Sequence, residues 1–208
     1  MRQLTGHPTN FPMHHVHHCR AALRGAAAWA AAFALCLGAA WGCTPSPADS
    51  STPASQLPEF TSAEATLFDD TIGLGAFGAE LEEVSPSADP KLRDRTNRAD
   101  LVAPVSVSTV TRDSGGSVES YTIAVTEAGE PFVGNMGPYP IELTVNDNSP
   151  SFPFVRSADA GLMGKKLILF LKYYSEGGKA VTHWRLETDS DEIRKAISDT
   201  RALEEIGR

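Results

Sequence analysis

Beyond residue 43 this 208-residue sequence has no cysteine and only one histidine, and before residue 43 it has no acidic residue. Each absence excludes something. The three cysteines are Cys19, Cys36 and Cys43, so no disulfide can form within the chain that follows Cys43, even in an oxidising compartment. The histidines are His7, the cluster HHVHH at His14 to His18, and His183, which leaves one imidazole and no thiol for a zinc site after residue 43. Of 18 Lys and Arg, only Arg2, Arg20 and Arg24 precede Cys43, so 15 basic residues face all 26 acidic ones after it, a formal net charge of -11. Such a body repels phosphate backbones, and nucleic acid is not expected as a partner.

What stands at the front is a targeting pattern. Arg20 and Arg24 flank an uncharged, alanine-rich run from Ala26 to Ala40, after which small residues lead to Cys43. This is the build of a cleaved, helical signal segment, residues 1–42. It resembles a lipoprotein signal, in which Gly42 would precede the cysteine that takes the lipid; Ala40 and Trp41 depart from the usual residues there. Cys43 is therefore the expected lipidation site. A single-pass membrane anchor is the alternative, because Gly25 to Gly42 is charge-free and just long enough to span a bilayer. Translation from Met13 would give a shorter signal, and the HHVHH cluster falls inside the segment to be removed, so no metal site is assigned to it.

Residues 43–58 carry the anchor cysteine and TPSPADSSTPASQLP, a Ser/Pro-rich stretch without apolar periodicity that reads as a disordered spacer. Residues 59–208 are the folded, strand-rich domain. LVAPVSVSTVT at Leu101 to Thr111 is β-branched and alternating, with Pro104 marking an edge or bulge. ESYTIAVTE follows the turn DSGGS and aligns Tyr121, Ile123 and Val125; PIELTVND aligns Ile141, Leu143 and Val145. Ser149 to Gly164 loses periodicity and reads as an irregular crossing with Phe152 and Phe154 as plugs. LILFLKYY at Leu167 to Tyr174 is apolar on both faces and should be the central strand. SEGG then turns into AVTHWRLE, and a helix opened by Asp189 or Ser190 places Ile193, Ala196, Ile197 and Thr200 on one face. The expectation is a mainly β domain, a small antiparallel OB-like barrel or sandwich of about five strands with a C-terminal helix; an open antiparallel sheet with helices at its ends fits the same strand count.

The chemistry is sparse. GLGAFG at Gly73 to Gly78 matches a dinucleotide-binding pattern by letter, yet no strand precedes it and no long helix follows, so no cofactor is assigned. His183 shares its strand face with Val181 and Arg185, and no G-x-S-x-G elbow presents a serine to it. Asp69 with Asp70, Asp147, and Asp189 with Asp191 lack the spacing of a calcium loop, and no metal is assigned to them; loop solvation and helix capping explain them. Tyr173, Tyr174, His183 and Trp184 are the candidate ligand-binding residues, with Trp184 read first as core.

RTNRADLV at Arg95 to Val102, VSTVTRDSGG, FVRSADAGLMGKKLILFLKYY and THW at Thr182 to Trp184 together resemble small predicted lipoproteins of myxobacterium-type Gram-negative bacteria. That resemblance covers about Phe68 to Ile197 and implies no activity and no catalytic residue; Thr44 in place of Asp after the cysteine implies, by analogy, the outer membrane. The function expected is a noncatalytic envelope lipoprotein, held to the membrane by its lipid, whose domain contacts an envelope protein or a surface polymer. A small-ligand or cation-binding lipoprotein is the first alternative, and an enzyme centred on His183 the second.

Overall fold

The structure, a computed structural model, describes residues 53–79, 84–115 and 118–207. The signal segment, the HHVHH cluster, Cys43 and most of the Ser/Pro spacer lie outside the described residues. Among those described, no helix is long and apolar enough to cross a membrane.

Six strands form one mixed sheet: β1 (Thr71–Ile72), β2 (Leu101–Asp113), β3 (Ser120–Glu127), β4 (Ile141–Asn146), β5 (Lys166–Glu176) and β6 (Lys179–Thr188). Their order across the sheet is β1-β6-β5-β2-β3-β4, with β1 parallel to β6 and every other pair antiparallel. Three helices complete the fold: α1 (Pro90–Arg98), α2 (Phe152–Leu162) and α3 (Asp191–Ile206).

The five expected strands and the C-terminal helix are present; the closed barrel and the sandwich are not. There is one sheet, and helices rather than a second sheet cover it. Leu169 and Leu171 of β5 join Val105, Ile123, Leu143, Trp184 and Leu186 in a core closed by Phe152, Val155 and Leu162 of α2. Ile168, Phe170 and Tyr174 of the same strand face the other way, into Leu92 of α1 and Ala196 and Ile197 of α3. That two-sided burial is why LILFLKYY is apolar without alternation.

The sheet curls without closing. Glu142, Leu143 and Thr144 of β4 line one cleft, of about 280 Å³, with Thr182 and His183 of β6, but no ladder joins the two strands. The gap is crossed by a side chain instead: Ser151 Oγ accepts from Ile72 N at 2.7 Å and donates to Ile72 O at 3.2 Å, standing in for a strand partner on the free edge of β1.

One helix forms where the sequence reads as irregular, and a second helix and a two-residue strand form where the sequence suggests no element. Ser149 to Gly164 contains α2, whose periodicity is broken by a non-helical Ala158 (φ -138°, ψ 28°). Phe152 is buried as a plug, whereas Phe154 is 38% exposed and stacks on Phe77 with ring centroids 5.5 Å apart. In α1, Asp89 accepts from Lys91 N at 2.9 Å and Pro90 takes the first turn, a good start for a helix with one strongly buried apolar residue, Leu92. β1 has two residues, too few to show alternation.

Pro104 lies in the interior of β2 at no cost. Val102 N and O pair with the loop at Phe132 and Val133, and Pro104 O accepts from Ala128 N, so Pro104 points its missing N–H past the end of β3. A bulge does occur in β2, further on, between Val107 and Thr109. The β5–β6 hairpin turns at Gly177 and Gly178, both at positive φ (55° and 78°), as a two-residue loop requires. Ser190 caps α3, accepting from Ile193 N at 3.3 Å.

Candidate functional site

Alternation along β6 divides the four candidate residues between the two faces of the sheet. Tyr174 and His183 lie on one face, with ring centroids 5.7 Å apart. Tyr173 and Trp184 lie on the other, Tyr173 46% exposed and Trp184 buried in the core. They do not form one site.

His183 sits at a more elaborate position than an open sheet surface. Its Nδ1 is 2.8 Å from Asp70 Oδ2 and its Nε2 is 3.2 Å from Glu176 Oε1. Phe60, just beyond the spacer, stacks on the ring at 3.7 Å and 5° from parallel. Asp70 is the one described non-glycine residue with left-handed φ (52°), a conformation Asp tolerates better than most. Three hydrogen bonds hold it there: Asp70 N donates to Trp184 O, Trp184 N donates to Asp70 Oδ1, and Ser149 Oγ donates to Asp70 O. Burial pushes the Asp70 carboxyl above the usual aspartate value, against the pull of the His183 hydrogen bond.

Two carboxylates facing one imidazole restrict its chemistry. A neutral imidazole has one donor and one acceptor nitrogen, so both contacts are satisfied only when both nitrogens carry protons or a carboxyl supplies one. Neither nitrogen is free to take a proton from a nucleophile. The acids also sit at opposite ends of the ring and cannot converge on a cation; among the described residues no group of three or more His, Cys, Asp or Glu is arranged to hold a metal.

The same face of β6 continues into a cleft of about 390 Å³ between β6, α1 and α3. Its floor is a chain of ion pairs. Arg95 Nε donates to Leu67 O at 2.7 Å and its Nη1 to Glu187 Oε1 at 3.0 Å. The same Oε1 accepts from Arg185 Nε at 2.8 Å, and Arg185 Nη1 donates to Asp69 Oδ2 at 2.9 Å and also meets Thr71. The Arg95 side chain is only 5% exposed. Burial lowers its pKa, offset in part by Glu187; for Arg185 the carboxylates of Glu187 and Asp69 outweigh burial and raise it. A third cluster lies beside Phe60: Tyr174 OH donates to Glu64 Oε2 at 2.6 Å, and burial together with that carboxylate drives the phenol pKa upward.

The GLGAFG segment follows β1, so a strand of two residues does precede it. Leu74–Phe77 is a single 3-10 turn, not the long helix that a pyrophosphate site requires. Gly73 has a different role: a Cβ there would lie 2.3 Å from Glu187 Oε2, so glycine makes room for the ion-pair chain.

Asp70, Glu176, Arg95, Arg185 and Glu187 were not singled out for these roles by sequence reasoning. The one available signal was alternation, which puts His183, Arg185 and Glu187 on one face of β6. Asp70, Asp69 and Arg95 lie 113, 116 and 92 positions from His183, Arg185 and Glu187 and carry no local pattern, whereas Glu176 is 7 positions from His183 across the β5–β6 hairpin. Compared with protein-family models, curated proteins and solved structures, the chain matches none.

Proposed function

We propose that the chain is an exported lipoprotein, anchored in the cell envelope through Cys43, whose folded domain is a noncatalytic interaction module for an envelope protein or a surface polymer. The observation that carries the noncatalytic part is the engagement of His183, the one histidine after the signal segment, by Asp70 and Glu176 on both nitrogens. A base for acyl transfer or hydrolysis needs one nitrogen open to its nucleophile. The anchoring part is supported by the signal pattern ending at Cys43 and by the spacer behind it. A second reading, capture of a small ligand, is favoured by the cleft floored by Arg95 and Arg185.

Crosslinking in intact envelopes tests the proposal, with full-length protein compared against a Cys43→Ser variant. The expected result is discrete adducts, to a protein or to polymer, that depend on the anchor. Adducts identical for both forms, or a turnover activity abolished by His183→Ala, would overturn it.

A further inference from the structure

Among the described residues that line the cleft over Arg95 and Arg185, Lys91, Arg95 and Arg185 stand with Asp69, Asp89 and Glu187, three cations and three anions. The central groups are fixed: Glu187 Oε1 is shared by both guanidinium groups, Arg95 is tied to the Leu67 carbonyl and lies 5.5 Å over the Phe170 ring, and Arg185 is tied to Asp69. A guanidinium has five N–H donors, and among the described residues Nη2 of each arginine has no partner. Among the described residues no buried side-chain nitrogen or oxygen lacks a partner, so these amino groups open to solvent, and both arginines line the cleft. Among the described residues Glu187 Oε2 likewise accepts no hydrogen bond, both guanidinium contacts going to Oε1. Val84, Pro86, Leu92 and Ile193 supply an apolar wall beside them.

The cleft thus offers preset donors and preset acceptors side by side, with no net charge. An ionic ligand gains little from such a site, and an anion is opposed by the net charge of -11 after Cys43. A hydroxyl group donates and accepts at once and can use both kinds of valence, while the C–H face of a ring covers the apolar wall. We infer that this cleft is a binding site for an uncharged, hydroxyl-rich ligand, a carbohydrate unit of a surface polymer. The inference rests on the interaction-module reading and names the partner class within it.

Side-chain NMR on full-length protein in detergent micelles tests this through the Nε–H signals of Arg95 and Arg185. The neutral probes are the methyl glycosides of glucose, galactose, mannose and N-acetylglucosamine; glucuronate and glucosamine are the charged probes. At least one neutral probe should move both signals saturably, and added salt should leave its affinity unchanged, since screening acts on charges. An Asp89→Asn variant keeps an equally good helix cap, so the fold is retained, while one anion is lost from the cleft. It should gain glucuronate binding several-fold relative to its binding of the neutral probe, a shift in selectivity that a purely structural role for the ion pairs would not produce. No response to any neutral probe, or a wild-type response to glucuronate alone, would overturn the assignment. Anchor-dependent protein adducts in the envelope with no response to sugars would sink the assignment while leaving the interaction-module reading intact.

Discussion

Asp70 combines two costs that the rest of the domain supports: a left-handed backbone and a carboxyl held above its ordinary pKa by burial. The sign of its pH dependence follows. A carboxyl whose pKa is higher in the folded than in the unfolded chain binds its proton more tightly when folded, so its contribution becomes more favourable as pH falls through the folded value toward the ordinary aspartate value of 3.8. Asp70→Asn keeps a side chain that tolerates left-handed φ and removes the titration. In denaturant titrations across that window, the wild type should gain stability on acidification relative to the variant; parallel curves would contradict the buried-carboxyl account. Glu187 makes a second residue-level prediction. Glu187→Ala leaves Arg95 buried without its carboxylate and should cost about 3 kcal/mol in urea unfolding. Gly73→Ala should also destabilise, because Glu187 cannot swing away while both arginines hold its Oε1. The two substitutions should be non-additive in a double-mutant cycle, since the clash disappears with the side chain.

At the scale of elements, β1 shows how a strand too short to be seen in sequence is kept in place. Two residues pair with β6, and Ser151 serves the other edge of β1 at Ile72. Ser151→Ala should therefore cost about 1–3 kcal/mol by leaving a buried N–H without a partner, and hydrogen exchange at Ile72 should accelerate more than elsewhere. Unchanged exchange at Ile72 would show that the serine is not its partner. What was legible in the sequence divides along the same line. β3 and β4 alternate because one face meets the core, β5 is apolar throughout because both faces do, and α3 carries its cap and its buried stripe in consecutive turns. The helix α1 was hidden because PKLRDRTNR buries the polar Arg95 and Thr96 beside Leu92; the partners of Arg95, Leu67 and Glu187, lie elsewhere in the chain, and Thr96 donates back to Leu92 O. The helix α2 was hidden by its kink at Ala158.

For the whole molecule, the candidate site emerges where segments distant in sequence converge on one face of β6. Phe60 packs on His183, and Pro58 O accepts from Ser175 N, so the chain at residues 58–60 is secured to the sheet beside the Asp70 centre. His183 was legible as a lone imidazole on a strand; its Asp70 partner was not, because Asp70 lies 113 positions away and reaches it only through the left-handed turn before β1, while Glu176 meets it from the adjoining strand of the β5–β6 hairpin. The account of the whole molecule depends on its first residue after processing. Mass spectrometry of the N-terminal peptide from membrane-extracted protein is the most direct measurement. The account predicts a chain beginning at Cys43 and carrying fatty acyl groups, with no peptide from residues 1–42. An unmodified Cys43 inside a longer peptide that starts at Met1 or Met13 would contradict it.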